Sequence, residues 1–62
     1  MKVREIIKLI ERDGWRQARQ RGSHRRFYHP VKPGGVTVAG HRNEELRLKT
    51  QAAIFRQAGL KR

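Results

Sequence analysis

The chain has 62 residues and no cysteine, and its 16 Lys and Arg against 5 Asp and Glu give a formal net charge of +11 and a pI near 11.8. A chain this short buries only about 60% of the surface its unfolded form exposes, so one domain over residues 1–62 is expected. The absence of cysteine excludes disulfides, thiolate nucleophiles and cysteine-ligated zinc. No apolar run has the length of a signal-peptide core or a membrane span. A soluble, cytoplasmic protein without a membrane partner is therefore expected, and its charge calls for a polyanion.

In chain order, Val3, Ile6, Ile7 and Ile10 recur at helical spacing and predict an amphipathic helix over residues 2–12, stopped by Gly14. Residues 15–20 mix polar and apolar side chains without a helical period and read as a first strand. Gly22-Ser23 then signals a turn, and a second strand follows over residues 25–29, ended by Pro30. Lys32-Pro33-Gly34-Gly35 is the strongest turn in the chain, and residues 36–39 predict a third strand with Val36 and Val38 on one face. Residues 40–49 read as a connection whose Leu46 and Leu48 tuck under the core. Thr50 is the expected N-cap of a last helix over residues 51–58, with Gly59 as its stop. The predicted fold is α+β, in the order helix-strand-strand-strand-helix, with a three-stranded antiparallel sheet and both helices on one face.

Alternation assigns the side chains of the second strand. Phe27 belongs to the core side, while His24, Arg26 and Tyr28 point to the open face, provided no bulge near Gly22-Ser23 reverses His24. Arg25 and Arg26 must lie on opposite faces. Trp15 is expected in the core, and Tyr28 is the better candidate for stacking on a base. Glu5, Glu11 and Asp13 read as solvated helix charges, and Glu44 and Glu45 as a loop face.

From Gly14 to Asn43 there are seven basic residues and no acidic one, which reads as a nucleic-acid footprint. Within it, "RGSHRRFYHP" gathers two histidines, three arginines and two aromatics. Cleavage of RNA needs a group that takes the 2′-hydroxyl proton and one that protonates the leaving 5′-oxygen near neutral pH, and histidine suits both tasks. Arginines beside it would hold the phosphate and stabilise charge on its oxygens. His29, just before Pro30, reads instead as structural, capping the strand end by a ring hydrogen bond, and His41 follows the third strand within reach of the same region. Metal ligation is not expected, because the three histidines lack metal-binding spacing and no carboxylate lies nearby. No cofactor is expected either.

The chain resembles the HicA family of mRNA-cleaving toxins. The likeness rests on a first helix ending in "DGW", then "RQRGSHRRFYHP", a "VTV" strand followed by a histidine in "VAGHRNEEL", and a last helix ending in "IFRQAGL". The chain departs from the family pattern at Ala39, where proline is frequent, and at Lys49, where glycine commonly precedes the threonine. The resemblance implies a double-stranded-RNA-binding-domain-like fold and metal-independent endoribonuclease activity centred on the histidine of "GSH", here His24. It also implies silencing by a HicB-type antitoxin. On this reading His24 is the proton-transfer residue, and Arg21, Gly22, Ser23, Arg25, Arg26, Tyr28, Lys32 and His41 contact the RNA. The alternative is a non-catalytic RNA-binding module that grips by shape and charge.

Overall fold

Apolar residues spaced three and four apart place Val3, Ile6, Ile7 and Ile10 on one side of a helix, and all four are buried there. In the computed structural model, which describes residues 1–60, this helix is α1 (Val3–Arg12). It is followed by β1 (Arg16–Arg21), β2 (His24–Tyr28), β3 (Gly35–Val38) and α2 (Leu48–Gln57). This is the expected α+β order.

Both helices end in the same device. Gly14 and Gly59 take positive φ (111° and 70°), a conformation glycine adopts without the Cβ clash. After α1, the Gly14 amide bonds to the Glu11 carbonyl and the Trp15 amide to that of Ile10. After α2, Gly59 bonds to Arg56 and Leu60 to Phe55. These paired bonds satisfy carbonyls the helix ends would otherwise orphan, and each drops a large apolar residue back onto the core.

The strands form one antiparallel sheet in the order β1-β2-β3. Phe27 lies opposite Val36, and Arg25 opposite Val38. Phe27, Val36 and Val38 are fully buried against α1, Trp15 and the Ile54, Phe55 and Ala58 side of α2. Both helices thus share one hydrophobic cluster and one face of the sheet, and the other face is bare.

The corner between α1 and β1 is closed by polar bonds. The His29 Nδ1 accepts the amides of Val31 and Lys32, both at 3.0 Å, so its Nε2 carries the proton and donates to the Asp13 carbonyl at 2.7 Å. Gly14 leaves room for this ring, since a Cβ there would sit 2.6 Å from Nε2. His29 is therefore structural, as the sequence suggested. Lys32 Nζ bonds to the Asp13 carboxylate at 2.5 Å and to the Ala58 carbonyl at 3.0 Å, tying the long turn after β2 to the ends of both helices.

Asp13 is thus a partly buried tie and not the solvated helix charge expected of it, because the turn after β2 folds Lys32 back onto it. Its hydrogen bond to Lys32 lowers the carboxyl pKa below the ordinary 3.8, against a smaller opposing effect of burial. A depressed folded-state value means that the stabilisation is complete above 3.8 and is lost as pH falls through the lowered value. Thermal unfolding of wild type and Asp13→Asn, followed from about pH 5 to about pH 2, should therefore converge as the pH drops. A constant gap between them would contradict this.

Two expectations at the last helix are corrected. α2 starts at Leu48 with Arg47 at the N-cap, so Thr50 lies inside the first turn and caps nothing. The chain is pinned just upstream, where Leu46 donates its amide to the Met1 carbonyl and Glu45 bridges to Lys2. The helix begins at once after that anchor. Leu46 packs on the core as expected, but Leu48, in the outward-facing first turn, is 81% exposed.

Candidate functional site

The bare face is assembled from β2 outward. β2 is regular from His24 to Tyr28, so His24, Arg26 and Tyr28 share this face at intervals of roughly 7 Å, while Arg25 and Phe27 turn to the core side. β1 does not keep strict alternation. Gln17 pairs with Phe27 and Arg19 with Arg26, which leaves Ala18 as an extra residue in a bulge. That one-residue insertion moves Arg19 and Arg21 onto the bare face. Arg21 then stands opposite His24, and Arg19, Arg26 and Thr37 form a row across all three strands.

These side chains line a shallow, open basin of about 360 Å³: His24, Tyr28, Thr37, Arg19, Arg21, Arg26 and the edge of Arg25. Arg26 lies flat on the sheet. Its Nη1 donates to the Thr37 hydroxyl at 2.9 Å and its Nε to the Tyr28 hydroxyl at 3.3 Å, and its guanidinium carbon is 5.4 Å from the Tyr28 ring centre. Gly35 makes this pose available, because a Cβ there would sit 2.6–2.7 Å from the guanidinium. The hydrogen bond and charge of Arg26, and more weakly the charge of Arg19, hold the Tyr28 hydroxyl below the ordinary phenol value of 10.0.

His24 is exposed, and its ring makes no hydrogen bond to another described residue. Arg25 is only 5% exposed, and its Nη1 donates to the carbonyls of Ser23 and Gly40. Gly22 and Ser23 form the β1–β2 turn beside it. Among the described residues the ion pairs are Met1 with Glu45 and Asp13 with Lys32, and the His29 ring, neutral in this tautomer, lies 3.9 Å from the Asp13 carboxylate. None of the four basin arginines has a carboxylate partner there. No group of three or more His, Cys, Asp or Glu among the described residues is placed to hold a metal ion.

The structure therefore gathers Arg21, His24, Arg25, Arg26 and Tyr28 at one place, with Gly22 and Ser23 at its end. It does not gather Lys32, whose ammonium is engaged at the far corner. His41 lies outside the basin lining, in the exposed loop after β3. Arg19, Thr37 and Gly35 were not singled out from the sequence. Arg19 and Thr37 become visible only once the bulge and the β2–β3 register align them with Arg26.

A sheet covered by helices on one side and carrying an exposed histidine among uncompensated arginines on the other defines a small α+β protein with a strongly cationic working face. A family model described as the HicA toxin of bacterial toxin-antitoxin systems matches residues 3–60. The chain belongs to the HicA toxin family, and membership implies an antitoxin partner. Among curated proteins no sequence matches it significantly.

Proposed function

We propose that this protein is an mRNA interferase, a metal-independent endoribonuclease toxin that cuts RNA on the bare sheet face and is neutralised when a HicB-type antitoxin covers that face. One observation carries the reading. An unengaged imidazole, His24, stands in a basin edged by four arginines that no described carboxylate neutralises.

The chemistry follows from what those groups are able to do. The 2′-hydroxyl of RNA attacks the adjacent phosphorus, forming the O2′–P bond, and the P–O5′ bond breaks. An imidazole takes the 2′-hydroxyl proton or supplies the one that O5′ needs. Arg21 and Arg26 flank His24 across and along the strands and meet the charge that grows on the phosphoryl oxygens. Tyr28 lies about 13 Å further along β2, two side-chain intervals from His24, which suits it to a neighbouring base rather than to the reacting phosphate. An antitoxin bearing acidic side chains would find the same arginines and displace RNA.

The test is cleavage of a defined mRNA by purified protein in excess EDTA, with the new ends analysed. The expected products carry a 2′,3′-cyclic phosphate and a 5′-hydroxyl. Ends with 5′-phosphate, or RNA that is bound and left intact, would overturn the reading, and the latter would favour a non-catalytic RNA grip.

A further inference from the structure

Transesterification of RNA asks for two proton transfers, and the basin holds one histidine. From the hydrogen bonds of Arg25 we infer that His41 is the second proton-transfer group, and that Arg25 is the positioning residue that sets it beside His24. The inference rests on the ribonuclease reading.

Arg25 Nη1 donates to the Ser23 carbonyl at 3.3 Å and to the Gly40 carbonyl at 2.9 Å. Those carbonyls belong to the peptide units that lead directly into His24 and His41. A single nitrogen therefore clamps the two backbone segments from which both imidazoles spring. Their carbonyl oxygens are no farther apart than the two bonds laid end to end.

The strand register agrees with this. Val38 faces Arg25, so the antiparallel course of β3 carries residues 39–41 toward the end of the sheet where His24 begins β2. The loop is also fixed beyond that point, since the His41 amide donates to the Glu44 carboxylate at 3.4 Å and the His41 carbonyl accepts the Glu44 amide at 2.9 Å. The His41 ring is exposed and makes no hydrogen bond to another described residue. His29 is no competitor, for both its nitrogens are engaged at the opposite end of β2.

Arg25 itself argues for a purpose beyond packing. A guanidinium buried without a carboxylate costs free energy that two carbonyl bonds only partly offset. In the step proposed, one imidazole takes the 2′-hydroxyl proton as O2′–P forms, and the other, protonated, gives its proton to O5′ as P–O5′ breaks. The pair ends with its protonation states exchanged, and water restores them.

The experiment compares wild type, His24→Ala and His41→Ala on two versions of one cleaved RNA: the natural strand, and a strand with sulfur replacing the scissile 5′-oxygen. A thiolate leaves without a proton, so loss of the acid is forgiven there and loss of the base is not. Both variants should cut natural RNA at least about 100-fold slower than wild type. On the sulfur strand one of them, and only one, should recover to within about tenfold of wild type. Arg25→Lys keeps the charge but not the planar fork, and should lower kcat with KM unchanged.

His41→Ala that cuts natural RNA at the wild-type rate overturns the assignment, as do two variants equally slow on both strands. An Arg25→Lys effect confined to KM removes Arg25 from the positioning role. A wild type that cuts neither strand overturns the ribonuclease reading itself, which keeps the two failures apart.

Discussion

His24→Ala should lower the rate of RNA cleavage by about 10²–10⁴-fold, the range that a positioned acid or base contributes, while RNA binding stays close to that of wild type. Binding is expected to persist because the attraction to phosphate comes from Arg19, Arg21 and Arg26 on the bare face, and none of their contacts runs through the imidazole. The fold should persist as well, since His24 is exposed and bonds to no other described side chain. Single-turnover cleavage, equilibrium binding to an uncleavable RNA of the same sequence, and circular dichroism would be measured on the same preparations. Cleavage that survives the substitution would move the chemistry away from His24, and binding that collapses with it would make His24 a contact.

Trp15→Ala should leave the chain largely unfolded at 37 °C. The indole is fully buried between both helices and the sheet, and its Nε1 donates to the Ala58 carbonyl at 3.2 Å. Truncating a buried Trp to Ala costs about 3–5 kcal/mol in lost transfer energy and residual cavity. A chain of 62 residues has about 3–9 kcal/mol in total at the usual stability per residue, so this one change removes a large share or all of it. Trp15→Phe keeps an aromatic filling and loses the hydrogen bond, while the Ala58 carbonyl still accepts from Lys32. It should fold, with a loss of about 1–2 kcal/mol. Chemical denaturation of the three proteins checks the order, and a cooperative transition for Trp15→Ala at the wild-type midpoint would contradict it.

Periodicity and punctuation made much of the fold legible. Four apolar residues at helical spacing marked α1, glycines marked both helix stops, and Val36 and Val38 marked the inner face of β3. Alternation also divided β2 correctly, sending Phe27 inward and His24, Arg26 and Tyr28 outward, because the residues from 24 to 28 hold a regular strand. The start of α2 was misplaced for a definite reason. Thr50 carries a good capping side chain, but the helix begins where the chain leaves its anchor on Met1 and Lys2, a contact from the other end of the sequence.

The candidate site divides along the same line. The sequence by itself determined the cationic, carboxylate-free middle of the chain, the histidine in "GSH" and the family to which these motifs belong, because composition and local spacing carry that information directly. Only the tertiary structure decided which of those cations work together. A bulge at Ala18 reversed the phase of β1 and brought Arg19 to Arg26 and Arg21 to His24, and the turn after β2 carried Lys32 away to Asp13. Arg25 was turned inward to hold the peptides before His24 and His41. Each of these outcomes depends on pairing between residues distant in sequence, where a shift of one position changes the face on which a side chain emerges.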